Sequence, residues 1–141
     1  MKPEKLHKLE PLPGIPPTFE LRELNYDGNL LVRVQDSKYN SSPILTIYFG
    51  APFSVRMTTK FAKPISSYEL DKALVNLEKE PEYEYTWSLF TVENSSYVEW
   101  FHEQSVGIKR DIGIAHYLIK TANEVIEVLD LEDPRPTFMW S

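Results

Sequence analysis

The sequence predicts a single α+β domain, a mainly antiparallel sheet of about seven strands with two helices packed on one face. Three observations lead there. Apolar and polar residues alternate over Phe53–Thr58 and again over Glu82–Leu89, the two-residue period of a strand with one wet face. Ser66-Ser67-Tyr68-Glu69 and Ser96-Tyr97-Val98-Glu99 both carry the Ser-x-x-Glu spacing of a capping box, followed by apolar residues at helical spacing. A chain of 141 residues, 42% hydrophobic and 13% aromatic, has enough apolar material to fill one core.

The elements follow in order. Residues 1–18 hold five prolines and few apolar groups, which predicts an extended N-terminal arm ahead of one domain over 19–141. Phe19–Leu24 and Leu30–Val34 read as strands around Asn25–Asn29, where Gly28 can take a positive φ at little cost. Ile44–Phe49 is apolar on both faces and reads as a buried third strand. In the fourth, Phe53, Val55 and Met57 share the core side, and the four strands predict an antiparallel meander.

A helix opens at Ser66, buries Leu70, Ala73, Leu74 and Leu77, and stops before Pro81. The strand Glu82–Leu89 comes next, its phase slipping at Leu89-Phe90. A second helix then opens at Ser96, with Asn94 as an alternative cap, and places Tyr97, Trp100, Phe101 and Gln104 on one face; Gly107 is its stop. Ile114–Thr121 and Val125–Leu131 pair as a hairpin around Ala122–Glu124. Phe138, Met139 and Trp140 are too apolar for a free terminus and call for a groove to dock in.

Composition excludes several functions. There is no cysteine, so disulfides, thiol catalysis and cysteine-based zinc sites are ruled out. No apolar run approaches the roughly 20 residues of a membrane span, and the first residues lack the apolar stretch of a secretion signal, which predicts a cytoplasmic protein without a membrane partner. Residues 1–60 carry eight Lys/Arg against six Asp/Glu, a charge of +2; residues 61–141 carry seven against fifteen, a charge of −8. Such an acidic half repels phosphate backbones, which argues against nucleic acid, and attracts a basic protein.

Chemical candidates concentrate where the second helix ends and the next strand begins: Trp100, His102, Glu103, Arg110 and His116. Histidine titrates near neutrality and can bind metal, but Val106 stands where a helical metal pair would need its second histidine. Ser105 shares the helix with His102, without the strand–turn–helix context of an activated nucleophile. The five glycines are scattered at turns, so no phosphate-binding loop is formed. These residues point to no catalytic group, metal or cofactor, and at most to a binding site.

The segments YDGNLLVRVQ, ILTIYFGAPFSVRMT, YTWSLFTVENSSYVEWFHEQS and HYLIKTANEVIEVL resemble small bacterial cytoplasmic proteins, some of them similar to the immunity proteins of toxin–immunity systems. The resemblance spans about residues 17–131. It implies an α+β fold and a protein-binding role, and it carries over no functional residue. The expectation is a non-enzymatic, immunity-type interaction module that engages a basic protein through its acidic C-terminal half. The alternatives are a small-molecule-binding domain or enzyme with a pocket near Trp100, His102, Arg110 and His116, and a homo-oligomer assembled through a sheet edge or the aromatic tail.

Overall fold

In the computed structural model, the residues described are 2–39, 41–59, 87–105, 113–132 and 135–141. Their elements are β1 (Lys5–Lys8), β2 (Phe19–Tyr26), β3 (Leu30–Asp36), β4 (Ile44–Phe49), β5 (Ser54–Thr59), β6 (Leu89–Glu93), α1 (Ser96–Gln104), β7 (Ile114–Lys120), β8 (Glu124–Leu131) and β9 (Thr137–Trp140). The helix expected at Ser66 and most of the strand expected over 82–89 lie outside the described residues.

The strands form two antiparallel sheets, in the orders β1-β6-β7-β8-β5 and β2-β3-β4-β9. This corrects the expected single sheet of about seven strands with two helices. The described residues are mostly β, 54% strand and 9% helix, with one helix among them. Leu30, Val32, Val34, Leu45, Ile47 and Phe49 of the four-stranded sheet share one core cluster with Leu89, Tyr117, Ile119, Ile126 and Val128 of the other. Across that core, the Phe49 ring meets the edge of Tyr117 at 5.6 Å. The arrangement is a sandwich whose inner faces bury the apolar half of each strand.

The expected meander holds only as far as β4. Asp27 and Gly28 make the β2–β3 turn, with Gly28 at φ +106 and the Asp27 carboxylate accepting from Asn29 N–H at 3.3 Å. After β4 the chain crosses to the other sheet, where β5 pairs with β8 from Ser54↔Leu129 to Thr59↔Glu124. β4 itself alternates instead of being buried on both faces: Leu45, Ile47 and Phe49 point inward, and Tyr48 is exposed. The β7–β8 hairpin forms as expected, its turn closed by the Thr121 hydroxyl accepting from Glu124 N–H at 2.8 Å.

Both chain ends are strands. β1 lies along β6 from Lys5↔Glu93 to Lys8↔Phe90, with Leu6 buried, and β9 pairs with β4 from Leu45↔Trp140 to Tyr48↔Thr137. The proline-rich stretch is tied down as well: Trp87 Nε1 donates to Leu9 O at 3.1 Å and Ser88 Oγ to Pro16 O at 2.8 Å. No helix among the described residues is long and apolar enough to cross a membrane.

Candidate functional site

The five-stranded sheet has a second face, turned away from the sandwich core, and α1 packs on it through β7. Pairing puts His116, Glu127 and Arg56 there: β7 and β8 place Leu118 opposite Glu127 and His116 opposite Leu129, and β5 and β8 place Arg56 opposite Glu127. Glu127 is fully buried, and His116 nearly so at 1% exposure.

A buried carboxylate needs donors. Arg56 supplies two, Nε to Oε2 at 2.8 Å and Nη2 to Oε1 at 2.7 Å, and His116 Nε2 supplies a third at 3.0 Å. Burial alone would raise the Glu127 carboxyl. The hydrogen bonds from His116 and Arg56 outweigh it and hold the group below the usual carboxylate range. An ionised carboxylate only accepts, so His116 carries its proton on Nε2. Its Nδ1 lies 2.7 Å from the Ser95 hydroxyl, which donates to it when the imidazole is neutral.

Ser95 also starts α1. It is the N-cap, and its Oγ accepts from Val98 N–H at 3.1 Å. This replaces the capping box expected at Ser96; Asn94, the alternative cap, sits in the left-handed region at φ +58. Ser96 has another partner, because Glu4 Oε1, just before β1, accepts from both its backbone N–H at 2.7 Å and its hydroxyl. Tyr97 closes the assembly. Its ring lies under the Arg56 guanidinium at 4.1 Å and edge-on to His116 at 5.3 Å, and its hydroxyl hydrogen-bonds Ser54. Arm, helix and three strands are thereby joined by one polar network.

Beside it opens a cleft of about 620 Å³, with Val92, Val98 and Ile114 among its walls and the carboxylates Glu93, Glu99 and Glu132 and the ammonium of Lys2 around it. A second cavity of about 430 Å³ lies between the sheets and shares Val92, Glu93, Ile114 and Glu132 with the first. The two meet at these four residues, and together they are termed the groove at the end of the sheet.

The expected site residues are only partly gathered here. His116 is central. Trp100 is half exposed and, among the described residues, reaches the network through Tyr97, whose ring centre is 5.8 Å away. His102 is buried on α1; among the described residues its Nδ1 has no hydrogen-bond partner, and no bond or ring contact joins it to His116. Glu103 is exposed. Arg110 lies outside the described residues. Sequence reasoning missed Ser95, Glu127, Arg56 and Glu4. Glu127 carried a signal, a lone acid flanked by Val125, Ile126, Val128 and Leu129. Among the described residues, no group of three or more His, Cys, Asp or Glu could hold a metal ion. Neither models of known protein families, nor curated proteins, nor solved structures match this chain.

Proposed function

We propose that this protein is an interaction module that binds a basic protein partner at the groove around the end of its five-stranded sheet, in the manner of an immunity protein masking a toxin. The observation that carries the reading is the composition of the cleft: three carboxylates, Glu93 (3.2 Å from His7 Nε2), Glu99 and Glu132, against the single ammonium of Lys2, around walls formed by Val92, Val98 and Ile114. Apolar walls suit the methylene stem of a lysine or arginine, and carboxylates suit its head. The overall charge of −6 steers such a partner from a distance. The network beneath the cleft fixes α1 against the sheet, so the binding surface is set before the partner arrives.

The test is a pull-down from the native host with the immobilised chain and with a Glu93→Lys/Glu99→Lys/Glu132→Lys variant, the products of neighbouring genes serving as candidate prey. A basic protein retained by the native chain, released as salt rises and absent from the variant is the expected result. Identical retention by both chains would remove the cleft from any binding role.

A further inference from the structure

A serine hydroxyl has one hydrogen to give and two lone pairs. At Ser95 the hydrogen goes to Nδ1 of a neutral His116, 2.7 Å away, and one lone pair takes the Val98 N–H. Among the described residues the second lone pair has no donor, and Ser95 lines the 620 Å³ cleft. His116 is oriented from behind by Glu127, which Arg56 holds through two hydrogen bonds. Nucleophile, base and orienting carboxylate therefore stand in sequence at 2.7 Å and 3.0 Å, the relation required for acyl transfer. The serine follows a strand and a left-handed Asn94 and opens a helix, a connection that holds the side chain at a sharp turn.

A third requirement is a donor for the oxyanion. The Ser96 N–H at the positive end of α1 is such a donor, and a carboxylate oxygen of Glu4 already sits 2.7 Å from it. A carbonyl oxygen in that position would accept the same N–H.

We propose that Ser95, His116 and Glu127 form a latent acyl-transfer centre, closed in the resting chain by Glu4 of the N-terminal arm. This goes beyond the interaction reading and does not depend on it. With the arm displaced, an ester carbonyl takes the place of the Glu4 carboxylate. Ser95 Oγ adds to the carbonyl carbon as its proton passes to His116 Nδ1. The bond to the leaving alcohol then breaks, and the alcohol departs with that proton. Water attacks the acyl-serine, gives a proton to Nδ1, and the collapse returns it to Oγ with release of the acid. Glu93, Glu99 and Glu132 around the cleft select esters that carry a positive charge.

The experiment treats the full chain and a Glu4→Ala variant with a fluorophosphonate and maps the adduct by peptide mass spectrometry. The expected result is an adduct on Ser95 that forms at least about tenfold faster in Glu4→Ala and is lost when His116→Gln is added, with each variant's melting curve confirming that it is folded. Glu4→Gly, which likewise removes the side chain that accepts from the Ser96 N–H, serves as a second opened form, expected to label in the same way. A cationic p-nitrophenyl ester should be cleaved faster than its neutral counterpart by the same variants. No adduct on Ser95 in either folded Glu4 variant, or labelling indifferent to His116→Gln, would reduce Ser95 to a helix cap and overturn the proposal.

Discussion

At the scale of residues, Glu127 carries the largest energetic consequence. It is a fully buried carboxylate whose charge is met by Arg56 and His116. Removing one partner of such a pair while the other stays buried costs about 3–5 kcal/mol. Arg56→Met is the sharper test, because it leaves Glu127 with His116 alone; its unfolding midpoint in urea should fall well below that of the native chain. The sign of the pH dependence follows from the lowered carboxyl of Glu127. Its stabilisation is present above the unfolded value of about 4.3 and is lost as pH falls through the lower folded value. Urea titrations at pH 7 and in the acid range should show this loss in the native chain and a smaller one in Glu127→Gln. Asp130 behaves oppositely, since burial raises its carboxyl more than the Leu131 N–H lowers it. Its contribution is present below the unfolded value and lost as pH rises through the folded one. Asp130→Asn should therefore raise the melting temperature at pH 7.

The network was only partly visible in the sequence. An acid inside Val125–Leu129 announces a buried charge, but not which cation meets it. Arg56 lies 71 positions away, and the pairing depends on β5 joining the sheet of β8. His102 shows the converse. It was legible as a helical histidine, yet its burial depends on how α1 rotates onto the sheet, a tertiary outcome that capping and periodicity leave open.

Among the elements, local signals succeeded where neighbours in sequence are neighbours in space. The turn at Gly28 and the hairpin at Thr121–Glu124 are encoded by adjacent residues, and both form. The failures are long-range. β5 has the alternation of a strand and nothing local to say which sheet it joins; Met57, on its core side, ends half exposed because β5 is an edge strand. β1 is four residues, Lys-Leu-His-Lys, with one apolar side chain, too short for its period to register. Leu6 is nevertheless buried, and Leu6→Ala should cost about 2–5 kcal/mol, with hydrogen exchange of the β6 amides accelerated more than that of β3. The aromatic tail found its groove as a strand, β9, on the edge of β4. Removing residues 136–141 should lower the melting temperature by uncovering that edge. Unchanged stability would mean that β9 contributes little to the sandwich.

For the molecule as a whole, apolar content announced a single core and could not announce two sheets. A sheet with one wet face and a sandwich both alternate, and what separates them is the covering of the inner faces, which periodicity does not report. The five-stranded sheet is covered on both sides within its central strands, and there β8 is nearly continuous in burial from Val125 to Asp130. The binding account rests on this architecture, because the groove is the open end of that sheet, between α1 and the inner cavity. The proposed recognition is by the carboxylates Glu93, Glu99 and Glu132, and charge gives binding a salt dependence. The most direct measurement is therefore the affinity of the purified chain for the basic protein it captures from its host, titrated by calorimetry from low to high salt alongside the Glu93→Lys/Glu99→Lys/Glu132→Lys variant. Affinity that falls steeply with salt in the native chain and is lost in the variant is the expected result. Binding that ignores salt and survives the three reversals would contradict the account.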